Sequence, residues 1–82
     1  MSQPAVKWKQ VEKYFFRRGY DIYSEGGDRV IVAPQDLDPR RKRQVVRIGH
    51  RYCNRPGAEL SRGHLGQIKR AFGVTAADIR AG

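Results

Sequence analysis

Within 82 residues the spacing of apolar side chains changes from helical to alternating and back to helical. That double change restricts the folds open to the chain more than any single residue does, because a helical stripe and an alternating strand bury different faces. In the segment VKWKQVEKYFFRRG, residues 6–19, Trp8, Val11 and Phe15 fall at i, i+3 and i+7, one stripe of a helix. Lys7, Lys9, Glu12 and Lys13 lie elsewhere on the wheel, and Glu12 and Phe16 share another face. Pro4 suits the entrance of this helix and Gly19 its exit, where a left-handed residue is common. Arg17 and Arg18 occupy the last turn, favourable against the helix dipole.

From Tyr20 the period is two. Tyr20, Ile22 and Ser24 alternate with Asp21 and Tyr23 in a half-buried strand. Gly26 and Gly27 make a tight turn, and RVIVA, residues 29–33, returns as a second strand stopped by Pro34. A polar loop follows, QDLDPRRKR, and then a third strand, QVVRIGH, with Val45 and Arg47 on one face and Val46 and Ile48 on the other. The loop RYCNRPGAE leads to LSRGHLGQIKRAFG, where Leu65, Ile68 and Phe72 restore the helical spacing between an N-cap at Ser61 and an exit at Gly73. Gly63 and Gly66 weaken the first turns of that helix, by up to about 1 kcal/mol each relative to Ala. Thr75 and Asp78 have the spacing of a capping box on a terminal turn. The predicted order is α-β-β-β-α, an α+β fold: a three-stranded antiparallel sheet with two helices on one face. The other face is left to solvent or to a partner. Residues 1–82 form a single domain, with residues 1–5 as a flexible tail.

Seventeen Lys and Arg against eight Asp and Glu give a formal net charge of +9. Most of the cations are Arg, whose planar fork suits phosphate. Such a surface implies an anionic partner, nucleic acid first, an acidic protein second and a membrane third. Cys53 is the single cysteine, so neither an internal disulfide nor a multi-cysteine metal site exists. His50 and His64 are fourteen apart, with no Cys or carboxylate in helical register beside either, so no metal site and no cofactor is expected. The glycine pair lies outside any GxxxxGK[ST] pattern and is no phosphate loop. No motif for a nucleophilic serine is present. No apolar run has the length of a membrane span, and none near the N-terminus has the character of a signal segment, so the cytoplasm is the expected compartment.

The run Arg40-Arg41-Lys42-Arg43 is either a solvated loop or a phosphate contact. It leads into a strand carrying Arg47 and on to Arg51 and Arg55, while Arg62, Lys69 and Arg70 decorate the last helix. Cations recurring on successive elements can form one continuous surface. His50 is either bonded to backbone at the strand end, or an RNA or partner contact or general acid/base. His64 is expected to face solvent, and Cys53 to be a semi-buried filler.

Taken together, RRGYDIYSEGGDRVIVAP, VVRIGH and ELSRGHLGQIKRAFGVTAADI resemble the HicA toxin family of mRNA interferases, the partners of HicB antitoxins. The marks are a helix ending in Gly19 before Tyr20, a glycine turn before a strand, a third strand ending in a histidine, and the pattern Glu59, Leu60, Gly63, Leu65, Ile68 closing on a short acidic turn. The likeness runs from the first helix to Ile79, with its C-terminal pattern the more specific half. It implies a double-stranded-RNA-binding-domain-like fold, the same order that the periodicity gives. It also implies a catalytic histidine immediately after the glycine turn. Asp28 and Arg29 stand there instead. An exposed aspartate is ionised and acceptor-only, so it cannot serve as the acid, and its charge repels phosphate. His50 matches a family histidine that is not the one to which cleavage is usually assigned, and QDLDPRRKR lengthens the second hairpin beyond the family's turn.

The leading expectation is an RNA-binding protein that lacks the family's usual catalytic residue. Its phosphate contacts are Arg29, Arg40, Arg41, Lys42, Arg43, Arg47, His50, Arg51, Arg62, Lys69 and Arg70. One alternative is an endoribonuclease using His50, with Arg29 or Arg47 stabilising the phosphorane. Another is an interaction module that buries its basic face against an acidic HicB-like antitoxin. A DNA-binding reading of IKRAFGVTAADIRAG as a helix-turn-helix is weaker, because the chain stops soon after Asp78 and a groove-filling second helix needs about ten residues.

Overall fold

A computed structural model describes residues 5–34 and 45–82. The first apolar stripe becomes α1, Trp8–Arg17, and buries Trp8, Val11 and Phe15 together with Tyr14. Its first turn has no capping side chain of the usual kind. Gln10 Oε1 accepts the Lys7 N–H at 2.9 Å. The Trp8 and Lys9 N–H groups donate to the carbonyls of Ala58 and Pro56, at 2.7 and 3.1 Å. The orphan donors of a helix start are thus met by a loop distant in sequence. An isolated bridge between Lys7 and Glu59 closes the same seam.

The chain leaves α1 through Gly19, at φ +81°, and enters β1, Asp21–Glu25. The strand β2, Asp28–Val32, pairs antiparallel with β1, and the Glu25–Asp28 pair closes the hairpin. Gly26 and Gly27, at φ +59° and +91°, are its two turn residues, as a mirror-image hairpin turn requires. The strand β3, Val45–Ile48, pairs antiparallel with the other edge of β2, giving the sheet order β1-β2-β3. A 3₁₀ turn, His50–Tyr52, follows. The helix α2, Arg62–Phe72, starts on Ser61, whose Oγ accepts the His64 N–H, and ends at Gly73 in the left-handed region. The expected terminal turn is a full helix, α3, Ala76–Ala81, with Thr75 and Asp78 forming the anticipated reciprocal cap.

The α+β order α-β-β-β-α therefore stands, with α3 added. One core joins Phe15 and Val11 of α1, Ile31, Val46 and Ile48 of the sheet, Ile68 of α2 and Ile79 of α3, so the helices cover one sheet face. Phe15 is its hub: no part of it is exposed, and Tyr14, Tyr20 and Phe72 pack on it with ring centroids 4.6–5.4 Å away. The opposite face is less open than its pattern suggests. Val30 and Val32 are buried, flanked in register by Tyr23 and Arg47 and by Asp21 and Val45, whereas Tyr23 and Val45 remain about half exposed. Among the described residues no helix is long and apolar enough to cross a membrane.

Candidate functional site at the glycine turn

The register of β2 and β3 carries Asp28 to the same end of the sheet as Arg47 and His50. Asp28 Oδ2 accepts from Arg47 Nε at 2.8 Å, and Asp28 Oδ1 accepts the backbone N–H of His50, also at 2.8 Å. The same Arg47 guanidinium reaches the Glu25 carboxylate at 3.5 Å and the Glu25 carbonyl at 3.5 Å. Asp28 is thus not a free carboxylate. It fastens the first residue of the 3₁₀ turn to the hairpin. The Arg47 hydrogen bond, then the His50 N–H, hold its carboxyl below the ordinary aspartate value, and its partners raise Arg47. The expected repulsion of phosphate by Asp28 is offset by this pairing.

His50 is exposed, yet its ring is fixed. Nδ1 lies 3.2 Å from the Gly27 carbonyl oxygen. A carbonyl only accepts, so this contact is a hydrogen bond when Nδ1 carries the proton, the tautomer that leaves Nε2 as the acceptor nitrogen. Gly27 makes that approach possible. A Cβ on it would stand 3.2 Å from His50 Nδ1, and its φ of +91° is one that side-chain-bearing residues avoid. Of the two options open for this histidine, bonding to backbone at the strand end is the one these contacts show.

Arg29 sits on the helix-facing side of β2, half-buried, and hydrogen-bonds Ser24 Oγ. It lines a cleft beside α1, so it is less available to a flat phosphate surface than expected. Arg51, Arg62, Lys69 and Arg70 are exposed, the last three along α2. Arg40, Arg41, Lys42 and Arg43 lie outside the described residues. His64 does not face solvent freely: it is half-buried, edge-on to Tyr52 at 4.5 Å, with Nδ1 2.8 Å from Ser61 Oγ, and burial pushes its pKa down. The reason is the N-cap, which turns the third residue of the helix back over the loop. Cys53 is buried rather than semi-buried. Its thiol faces the Ile48 and Gly49 carbonyls at 3.5 and 3.3 Å, and burial raises its pKa, which suits packing rather than nucleophilic chemistry.

One basic feature escaped the sequence reading. Lys9, Lys13 and Arg17 recur every fourth residue along the exposed side of α1, and Lys13 and Arg17 border a cleft shared with Arg80 of α3. The i, i+4, i+8 spacing was its available signal. A second cleft, between α2 and α3, is bordered by Arg62, Lys69 and Arg80. Among the described residues, the two recorded ion pairs both belong to Arg47. Comparison of the chain with protein-family models, with curated proteins and with solved structures finds no match.

Proposed function

We propose that this chain is an RNA-binding protein of HicA-like type, acting in the cytoplasm, which grips phosphates with exposed arginines and lysines. The observation that carries the reading is the uncompensated charge. The chain carries a net charge of +9, and among the described residues the ion pairs belong to Arg47, so Arg51, Arg55, Arg62, Lys69 and Arg70 are exposed with no ion-pair partner among the described residues. Phosphate contacts of this kind bind by displacing counterions. The α-β-β-β-α order supports the reading, since a double-stranded-RNA-binding-domain-like fold recognises A-form shape and phosphates without a catalyst. An acidic HicB-like antitoxin is the protein partner that fits the same charge. Anisotropy titrations of labelled duplex RNA at several salt concentrations test it. The log–log slope should be about −0.7 to −0.9 per phosphate neutralised. Salt-independent binding refutes the electrostatic account, and tighter binding to matched duplex DNA moves the assignment to DNA.

The ring geometry of His50 favours a second reading, an endoribonuclease. With Nδ1 held by the Gly27 carbonyl, Nε2 is a defined proton acceptor on an exposed residue. Cleavage of labelled RNA on a denaturing gel, abolished by His50→Ala, supports this reading. RNA that stays intact with the native chain leaves binding alone.

A further inference from the structure

Between the first turns of α1 and the loop after the 3₁₀ turn lies a cleft of ≈ 360 Å³, within the size range of small-ligand sites. It adjoins the glycine turn, since Arg29 follows Asp28 and Cys53 ends the 3₁₀ turn. Trp8 and Pro56 give it apolar wall, Lys9, Arg29 and Arg55 give it positive charge, and Glu12 is its one carboxylate among the described residues. The walls are held by the loop-to-helix hydrogen bonds from Trp8 and Lys9 to Ala58 and Pro56. Glu12 is half-buried and makes no ion pair or hydrogen bond among the described residues, despite the three cations around the same cleft.

We infer that this cleft takes a guanine nucleotide of single-stranded RNA, an inference that rests on the RNA-binding reading. A carboxylate is acceptor-only and wants two adjacent donors. Guanine presents them, N1–H beside the exocyclic N2–H₂, on its Watson–Crick edge. Adenine and cytosine set their amino group beside an acceptor nitrogen, and uracil flanks its single N–H with two carbonyls, so each opposes a lone pair to the carboxylate. The apolar wall suits the base's plane, and the surplus of cations suits its phosphate. Unstacked bases of single strands can enter such a cleft, whereas bases inside a duplex cannot.

The test uses Trp8, the chain's single tryptophan, whose fluorescence reports occupancy of the cleft it lines. Hexauridylates carrying one central guanosine or one central adenosine are titrated at low salt, with binding also followed by anisotropy. Guanosine should bind about tenfold or more tighter and change the Trp8 emission. Glu12→Gln should lose that preference while unfolding at an unchanged temperature. Arg55→Ala should weaken both hexamers alike and keep the preference. Equal affinity for the two hexamers, with RNA binding intact, overturns the cleft assignment alone. Absence of binding to any RNA overturns both readings, and guanosine monophosphate changing Trp8 emission without RNA binding overturns RNA as the occupant.

Discussion

Replacing Gly27 by alanine tests the hinge of the glycine-turn site, because two independent costs meet there. The first is backbone. At φ +91° an alanine is held in the left-handed half of conformational space, at a cost of about 1–2 kcal/mol. For a domain of this size each kcal/mol lowers the thermal midpoint by about 4–8 °C, so the variant should unfold roughly 4–16 °C lower. The second is local. The new Cβ meets His50 Nδ1 at 3.2 Å, tighter than ordinary packing, so the ring must give by a few tenths of an ångström, which loosens its contact with the Gly27 carbonyl. Gly26→Ala is the matched control: φ is +59° and nothing lies within 4 Å of the added Cβ, so it has a backbone cost near the lower bound and no effect on the ring. Calorimetry reads the first cost, and the nitrogen chemical shifts of His50, which distinguish its two neutral tautomers, read the second. In the native chain and in Gly26→Ala the Nδ1–H form should dominate, and in Gly27→Ala the preference should weaken. A Gly27→Ala chain that melts with the native one refutes the positive-φ argument. Identical His50 shifts in all three chains refute the claim that Gly27 sets the tautomer.

Three further outcomes follow from the same interactions. Burial lowers the pKa of His64, so the unfolded chain takes up that proton first; stability should fall as pH drops below about 6.5, and His64→Gln should flatten the thermal midpoint between about pH 7 and 5. Asp28 has a depressed pKa, so its contribution is complete above the unfolded value near 3.9 and disappears as pH falls through the folded value. Thermal unfolding of Asp28→Asn should therefore lose part of the native chain's acid sensitivity below about pH 4. Ser61→Ala removes the side chain that accepts the His64 N–H at 3.2 Å, and denaturant titration should show a loss of about 1 kcal/mol against a few tenths for Ser61→Gly.

The elements were legible wherever their causes are local. The Trp8, Val11, Phe15 stripe, the glycine hairpin, the alternation of Val46 and Ile48 against Val45 and Arg47, and the Ser61 and Thr75 caps each depend on residues within one turn or one strand. What the sequence did not disclose depends on partners brought from far along the chain. The start of α1 is completed by the Ala58 and Pro56 carbonyls rather than by a capping side chain, so no N-cap residue announces it, and Pro4, offered by the sequence for its entrance, lies outside the described residues. Arg47 looked like a free cation because Glu25 and Asp28 reach it only through the strand register. His64 looked solvent-facing because Tyr52, which packs on it, ends a short 3₁₀ turn that no periodicity encodes.

Asp28 shows how a residue singled out in the sequence can hold a structural place that local spacing does not disclose. The family resemblance marks it as the place of a catalytic histidine and makes the aspartate a loss. In the structure its two carboxylate oxygens hold Arg47 and the backbone N–H of His50, while the neighbouring Gly27 carbonyl fixes the His50 ring. An acceptor-only side chain is what that arrangement needs, because both groups it meets are donors. A histidine at residue 28 has two ring nitrogens rather than two acceptor oxygens, and its neutral ring has only one acceptor, so it cannot serve both donors at once. Asp28→His therefore does more than supply a missing acid/base: it releases Arg47 or the His50 N–H. Cleavage gained by that variant while His50→Ala in the same background changes nothing assigns the chemistry to residue 28. Cleavage lost with His50→Ala assigns it to the histidine that the native aspartate holds in place.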